Sequence, residues 1–593
     1  MKSPYRTEVR ILLSADAIYF GFTCQDPEPK RIAVHTMRRD GDIEGDDNVG
    51  IVLDTYGDRR TGYFFRVNSA GARGDGLVSD PENPSLEWDG IWDARAVHIP
   101  DGWSAEVVIP ARTLNFTRKL DRWGLNLERF IPRDRTTLRW ASPTLDALFY
   151  DLSRSGSLDG VGELRQGLGL EISPYATGRT TKFFSTESRA FQGAAGGEVT
   201  WKITPQMVGV LTLNTDFAET EVDSRQINIT RFPLFFPEKR AFFLEGSNQF
   251  QFGLGLDELF IPFFSRRIGL LEGAQIPIQV GVKLNGRAAR WNFALLDVET
   301  RATRVGTQVI PAQNLFAGRV SYDATSKLRL GTIFTHGDPE GIRENALVGF
   351  DAVWRTSAFR GNKNFLVGGW TAFAAGDLRP GSPVGWGFKI DYPNDLWDCN
   401  LNLHRFGDAL EPRLGFLPRP GRRLRLGCNY QPRPSKGGRF GWVRQAFVEN
   451  QYTRVTNSQG VVETWRYFAA PVNMRLESGD RFEFNAAPEF EFLPAPFEIV
   501  PGVVIPPGGY HFTRWRVEVQ SSPHRSLQAG STTWFGNFYN GDLSQWEQYV
   551  RWTSPRGRLQ LEATAENNFG HLPQGNFVQR LWQFQSAFAW SPN

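Results

Sequence analysis

The 593-residue chain carries 67 basic and 64 acidic residues, a balance of +3 that leaves no electrostatic footprint for nucleic acid. With 40% hydrophobic residues it is too apolar to be disordered, and it is too long for one ordinary core. Aromatic residues reach 13%, including 46 Phe and 19 Trp, beside 60 Gly and 36 Pro, a mixture that suits many short strands, tight turns and interfacial rings.

No run approaches the ~18 consecutive apolar residues of a membrane helix. A membrane-spanning chain without one must close a β-barrel, because unpaired backbone cannot sit in lipid. No export signal is visible: Met1-Lys2-Ser3-Pro4 leads straight into the strand-like Thr7-Glu8-Val9-Arg10-Ile11-Leu12-Leu13. An exported barrel is therefore expected to have lost its signal from this sequence. Cys24, Cys399 and Cys428 have no metal-type spacing and are expected as three unpaired thiols.

Residues 1–165 form an expected all-β unit, a jelly-roll-like sandwich. Short apolar runs, Ala17-Ile18-Tyr19-Phe20-Gly21-Phe22, Asn48-Val49-Gly50-Ile51-Val52-Leu53 and Tyr63-Phe64-Phe65-Arg66-Val67, are separated by Gly, Asp and Pro turns. Over 166–593 the pattern changes to pairs of longer alternating segments. Val280, Val282 and Leu284 alternate with Gln279, Gly281 and Lys283, a turn is expected at Asn285-Gly286, and Trp291, Phe293 and Leu295 resume the apolar face. Further short turns are expected near Thr204-Pro205, Asp323-Ala324-Thr325, Pro393-Asn394, Ser478-Gly479, Ser522-Pro523 and Ser554-Pro555. About 18 to 20 strands of roughly ten residues predict a large antiparallel transmembrane barrel. The last amphipathic strand runs into Ser591-Pro592-Asn593, so the barrel is expected to be truncated at its C-terminus.

Two resemblances cover nearly all of the chain. The stretches Thr7-Glu8-Val9-Arg10, Asp26-Pro27-Glu28-Pro29, Asp46-Asp47-Asn48-Val49, Gly62–Asn68, Gly102–Pro110, Trp123-Gly124-Leu125-Asn126 and Arg133 resemble carbohydrate-binding module family 9. The second part resembles a bacterial family of unknown function, number 5916. Its signature here runs from Asn214-Thr215-Asp216-Phe217 to Asp223, then Asn228-Ile229-Thr230-Arg231-Phe232, then Phe235-Phe236-Pro237-Glu238-Lys239-Arg240 to Gly246. Ser265-Arg266-Arg267-Ile268-Gly269 and Gly415-Phe416-Leu417-Pro418-Arg419 complete it. The resemblances imply an outer-membrane barrel with a carbohydrate ligand and an association with hydrolysis of O-glycosyl compounds.

Sugar modules stack pyranose faces on Trp while carboxylates fix the hydroxyls. Trp88 lies in the polar run Glu87-Trp88-Asp89 and is the candidate platform, with Glu87 and Asp89 as its polar partners; a place in the core is the competing reading. Trp92, Trp103 and Trp123 are expected in the core. Asp46, Asp47 and the run from Asp75 to Asp80 offer oxygens for calcium, without the twelve-residue loop that would specify it; no cofactor is expected otherwise. No Gly-x-Ser-x-Gly elbow, His-Glu-x-x-His or phosphate loop occurs. The acids Asp216, Glu219, Glu221 and Asp223, with Asn228, Arg231, Glu238, Lys239, Arg240, Glu245, Arg266 and Arg267, are expected to line or fill the lumen rather than to catalyse. The segment around 216–270 holds too many Phe for a surface loop and is expected to fold inward.

Three functions remain open at this point. They are an outer-membrane barrel that binds and takes up glycan, a membrane-associated hydrolase of O-glycosyl compounds, and a structural or secretion-partner barrel without sugar binding. Barrel termini normally share the periplasmic end with the short turns, which predicts a periplasmic sandwich.

Overall fold

A computed structural model describes residues 3–591 apart from 80, 83, 119, 184–187, 216–224, 254–259 and 272–273. Short period-two strands near the N-terminus build two facing sheets. One runs in the order Thr7–Leu13, Ala17–Gln25, Gly102–Pro110 and Asp93–Ile99. The other runs Gly156–Asp159, Arg122–Ile131, Asn48–Asp54, Gly62–Asn68 and Arg73–Val78, with Thr136–Arg139 beside Arg122–Ile131. Alternate residues of both sheets point inward, so Ile18, Phe20, Phe22 and Ile109 meet Ile51, Leu53 and Phe65. Trp92, Trp103 and Trp123 fill the same core, as their sequence context suggested. Each such side chain contributes about 1.5–3 kcal/mol by leaving water, which makes this a self-sufficient core.

The longer segments form a single antiparallel sheet of twenty strands, from Leu170–Phe183 to Gly575–Phe588, each bonded to its neighbour in chain order. The sheet is a barrel, at the upper end of the strand number expected from sequence. Its first and last strands are not hydrogen-bonded to each other among the described residues.

Most turns fall where Pro, Ser and Asp announced them, with one correction. Asn285-Gly286 lies inside the strand Ile278–Ala288, and the chain turns later, at Ala289 and Arg290, where Ala289 takes a φ of 54°. Gly286 is there for close packing instead: a Cβ would run into the Gln206 carbonyl and Met207 on the neighbouring strand. The expectation of three unpaired thiols is also corrected. Cys24 is free and buried, but Cys399 and Cys428 sit directly opposite one another on adjacent strands and form a disulfide.

The sandwich sits against the end of the barrel where the short turns gather. The Phe116 amide donates to the Pro205 carbonyl (2.7 Å), and Arg60 donates to the Ser326 carbonyl. Arg154 donates to the carbonyls of Ser357 and Asn362, and the Asp395 amide donates to Asp146. Arg135 pairs with Glu477 and Arg551 with Asp42. Turns from the start, middle and end of the sheet thus meet one small domain, which a flat sheet of twenty strands could not do.

Candidate functional site

The inner face of the barrel is occupied by the described residues of the segment between the strands Met207–Thr215 and Ile278–Ala288. Of its expected residues, Asp216, Glu219, Glu221 and Asp223 lie outside the described residues. Farther on, Asn228 folds an Asx turn, its Oδ1 accepting from the Thr230 amide and its Nδ2 donating to the Phe232 carbonyl (2.8 Å). Arg231 reaches the far wall and donates twice to Glu491 Oε1, at 3.0 and 2.7 Å. A helical turn, Ala241–Leu244, then drives Phe242 and Phe243 onto wall residues Val208, Val210, Leu296, Val298 and Leu315.

The charged signature residues hold this segment together. Arg240 grips both oxygens of Glu238 (2.8 and 2.7 Å) and donates to the carbonyls of Ser265 and Ile268, while the Ser265 hydroxyl donates to Glu238. Arg266 donates to the Pro237 carbonyl, and Arg267 pairs with Glu340 at 3.2 Å. The two distant signature pieces also meet in space: Phe235 and Phe264 stack with centroids 5.1 Å apart, and Phe416 closes edge-on against both.

The wall supplies anchors that sequence reading missed. Lys283 is buried and donates to the carbonyls of Phe242 and Glu245. Arg319 donates to the Gln251 carbonyl and pairs with Asp351, which accepts from the Gly253 amide. Gly246 has a φ of 68° and lies so close to Asn285 that a Cβ would meet its side chain. Periodicity placed Lys283 opposite Val282, but nothing local tied it to a segment 40 residues earlier.

Between sandwich, lumenal segment and barrel wall lies a cavity of about 1550 Å³. Glu87, Asp89, Asp75, Asp40 and Arg39 line it from the sandwich, Lys239 and Glu245 from the lumenal segment, and Glu171, Glu198 and Lys202 from the wall. The structure therefore brings together expected residues from both parts of the chain. Trp88 needs a correction: it is no exposed platform, being only 6% exposed and packed on Tyr63 with ring centroids 5.1 Å apart. The chain folds back over Arg73–Val78 through the Leu77 and Ser85 bridge, which tucks the indole into the core. Its N–H emerges at the cavity and donates to Glu245 Oε2 at 2.9 Å.

Of the acids considered for calcium, Asp80 lies outside the described residues, and Asp46, Asp47 and Asp75 are buried. Asp46 is already saturated by the amide and Nδ1 of His35, the Thr36 amide and Asn68 Nδ2. Asp75 lies beside Asp40 and Asp89, two acids the sequence did not single out for calcium, with oxygens within 4.8 Å of one another, but Arg39 sits among them, 2.8 Å from both Asp75 and Asp89. The guanidinium is the cation of that cluster.

Burial pushes the Asp75 carboxyl up to about 6, against donation from the Gly90 amide and the charge of Arg39. Burial, reinforced by the neighbouring carboxylates of Asp75 and Asp89, raises Asp40 to about 7. Burial likewise raises Asp47 to about 7. Such groups bind protons more tightly folded than unfolded, so their stabilisation is complete below about pH 4 and disappears as pH rises through 6 to 7. Thermal unfolding followed by sandwich tryptophan fluorescence should show a midpoint that falls between pH 5 and 7.5. Asp47→Asn should flatten that slope, and an unchanged slope refutes the assignment for Asp47.

The outer face reverses the polarity of a water-soluble sheet. In Ile278–Ala288, Val282 points out at 48% exposure while Lys283, next to it, is 1% exposed. The same holds around the sheet: Leu295, Phe334, Phe350, Phe373 and Val550 are exposed, whereas Asn285, Arg319, Asp351, Glu483 and Arg514 are buried. Exposed Trp201, Trp291, Trp397 and Trp552 lie toward the turn end of their strands, and exposed Trp442 lies just before the strand Val443–Thr456 at the same end.

A family model described as a domain of unknown function (DUF5916) matches residues 167–280, which is less than half of the chain. No curated protein sequence matches. Among solved structures, the crystal structure of the usher PapC translocation pore is 9% identical over 92% of this chain and 99% of its own, with a TM-score of 0.27. OccK9 (OpdG) of Pseudomonas aeruginosa is 12% identical over 70% of this chain and 96% of its own, with a TM-score of 0.26. A P pilus tip assembly intermediate of E. coli, PapC-PapD-PapK-PapG, is 11% identical over 92% of this chain and 61% of its own, with a TM-score of 0.32.

Proposed function

We propose that this chain is an outer-membrane β-barrel that binds a glycan in the cavity between its sandwich and its lumenal segment, as a step in glycan uptake. The inverted polarity of the twenty-strand sheet carries the membrane part of this reading. Exposed Val, Leu and Phe beside buried Lys, Arg and Asp cost free energy in water and gain it in lipid. An arginine at the position of Val282, midway along its strand, should lower folding stability in lipid vesicles by about 2–4 kcal/mol. On a soluble surface sheet the same change stays within about 0.5 kcal/mol, and that result defeats the membrane reading.

The glycan part rests on the cavity. Its carboxylates and cations can accept from and donate to sugar hydroxyls, and the Trp88 indole at its edge is covered. Recognition would run through Glu87 and Asp89 rather than by stacking on Trp88. With the short turns facing the periplasm, the sandwich and the cavity are placed on that side. The test is glycan-array binding by the full chain in detergent, compared with a Glu87→Gln, Asp89→Asn double variant. Binding in the first and at least about tenfold loss in the second, the scale of one lost charged hydrogen bond, is expected. Binding to no glycan moves the chain to a purely structural or secretion-partner barrel.

A further inference from the structure

One loop at the turn end differs from its neighbours. Between the strands Gly421–Tyr430 and Val443–Thr456 the chain runs through residues 431–442, while the other turns on that side take only a few residues. Its sequence, Gln431-Pro432-Arg433-Pro434-Ser435-Lys436-Gly437-Gly438-Arg439-Phe440-Gly441-Trp442, has three cations and no acid. Arg433 is paired with Asp395 at 2.6 Å. Lys436 and Arg439 have no carboxylate within ion-pair distance among the described residues, and Arg439 lies over the Phe440 ring, 5.8 Å from its centroid. Phe440 and Trp442 are more than half exposed. Tyr430, at the end of the strand that enters the loop, and Trp397, on the strand paired with it, are exposed as well and pack with centroids 4.8 Å apart.

We propose that this loop is a docking surface for the anionic phospholipid headgroups of the leaflet at the turn end. The proposal rests on the reading of the barrel as membrane-spanning. Two observations select that occupant. The exposed rings of Trp397, Tyr430 and Trp442 are continuous with the apolar outer face, which puts the loop at the depth where amphipathic rings meet headgroups. Lys436 and Arg439 are exposed without internal counter-charge, and a basic segment at a negative surface gains roughly fivefold in affinity per Lys or Arg. An acidic protein partner would satisfy the charges but not the three rings that extend the lipid-facing surface. Gly437, Gly438 and Gly441 leave the backbone free to lie flat on such a surface.

The test uses the full chain with Ser435→Cys carrying an environment-sensitive fluorophore, since Cys24 is buried and Cys399 and Cys428 are joined. The protein is folded into nanodiscs of phosphatidylcholine alone or with one-third phosphatidylglycerol. Insertion is checked separately by protease resistance of the strands. The expected result is a blue shift in the anionic discs that 0.5 M salt reduces and that the Lys436→Gln, Arg439→Gln pair abolishes. Inserted protein whose emission is the same in both lipids overturns the headgroup site and leaves the barrel reading intact. So does a shift that the double variant retains. Failure to insert in either lipid overturns the barrel reading and this proposal together.

Discussion

Asp58→Asn should cost about 3–5 kcal/mol and loosen the sandwich from the barrel, because it removes one partner of a buried ion cluster. Asp58 is buried at the domain boundary, 2.6 Å from Arg287 and 3.8 Å from Arg329, both on the barrel. Asp323 meets the same two arginines at 3.4 and 2.7 Å. Arg60 of the sandwich lies in the same region, donating to the Ser326 carbonyl. The neutral amide keeps the size of the side chain and can still serve the Arg60 and Thr61 amides that Asp58 now accepts from. What it cannot do is balance the guanidinium groups, and Asp323 alone would then face them. The measurable signs are a lower unfolding midpoint and faster proteolysis between the sandwich and the first barrel strand at Leu170. A second substitution, Arg287→Gln, should restore part of the loss, since the charge left stranded by the first is then gone. A cost below about 1 kcal/mol would mean that the sandwich is held by its other contacts.

Much of this architecture was legible because period two is a local signal. Val282 and Lys283 announce opposite faces by adjacency alone, and Ser478-Gly479 or Ser554-Pro555 announce turns by their own backbone preferences. The charged signature around Glu238 and Arg240 was likewise recognisable, although its partners were not. Local chemistry misled at Asn285-Gly286, a common hairpin pair, because close approach to Gln206 rather than a turn required the glycine. It misled at Trp88 for a similar reason: polar neighbours suggested exposure, but they flank a segment that folds back onto its own sheet. The pairing of Cys399 with Cys428 depends on cross-strand register, and the contact of Arg231 with Glu491 depends on the curvature that brings a distant strand round to the lumenal segment. Neither is encoded within a window of a few residues. The site is therefore legible as a set of residue types and not as a constellation, since its walls come from Asp40, Lys239 and Glu171, three widely separated parts of the chain.

Deleting residues 225–250 should open the lumen. The strands on either side of the segment, Met207–Thr215 and Ile278–Ala288, are already paired directly, so the deletion need not disturb the sheet. It removes Arg231, the Glu238 and Arg240 pair, and the rings of Phe242, Phe243 and Phe250 that cover the inner wall. What remains on that wall is a mixture of charged groups, among them Lys283, Arg319 and Asp351, and apolar residues such as Val208, Val210, Leu296 and Leu315. Barrels of about 16 or more strands are wide enough to hold an aqueous channel once nothing fills them. Single-channel recording in planar bilayers should therefore show conductance rising at least several-fold, toward that of an open barrel of about this width. The sandwich lies in series at the turn end, so the deletion should act more strongly in the Asp58→Asn background, where the sandwich is loosened. If conductance is unchanged in both backgrounds, the lumenal segment is not the constriction. An increase only in the double variant would place the main barrier at the sandwich, with its charged turn contacts as the lock.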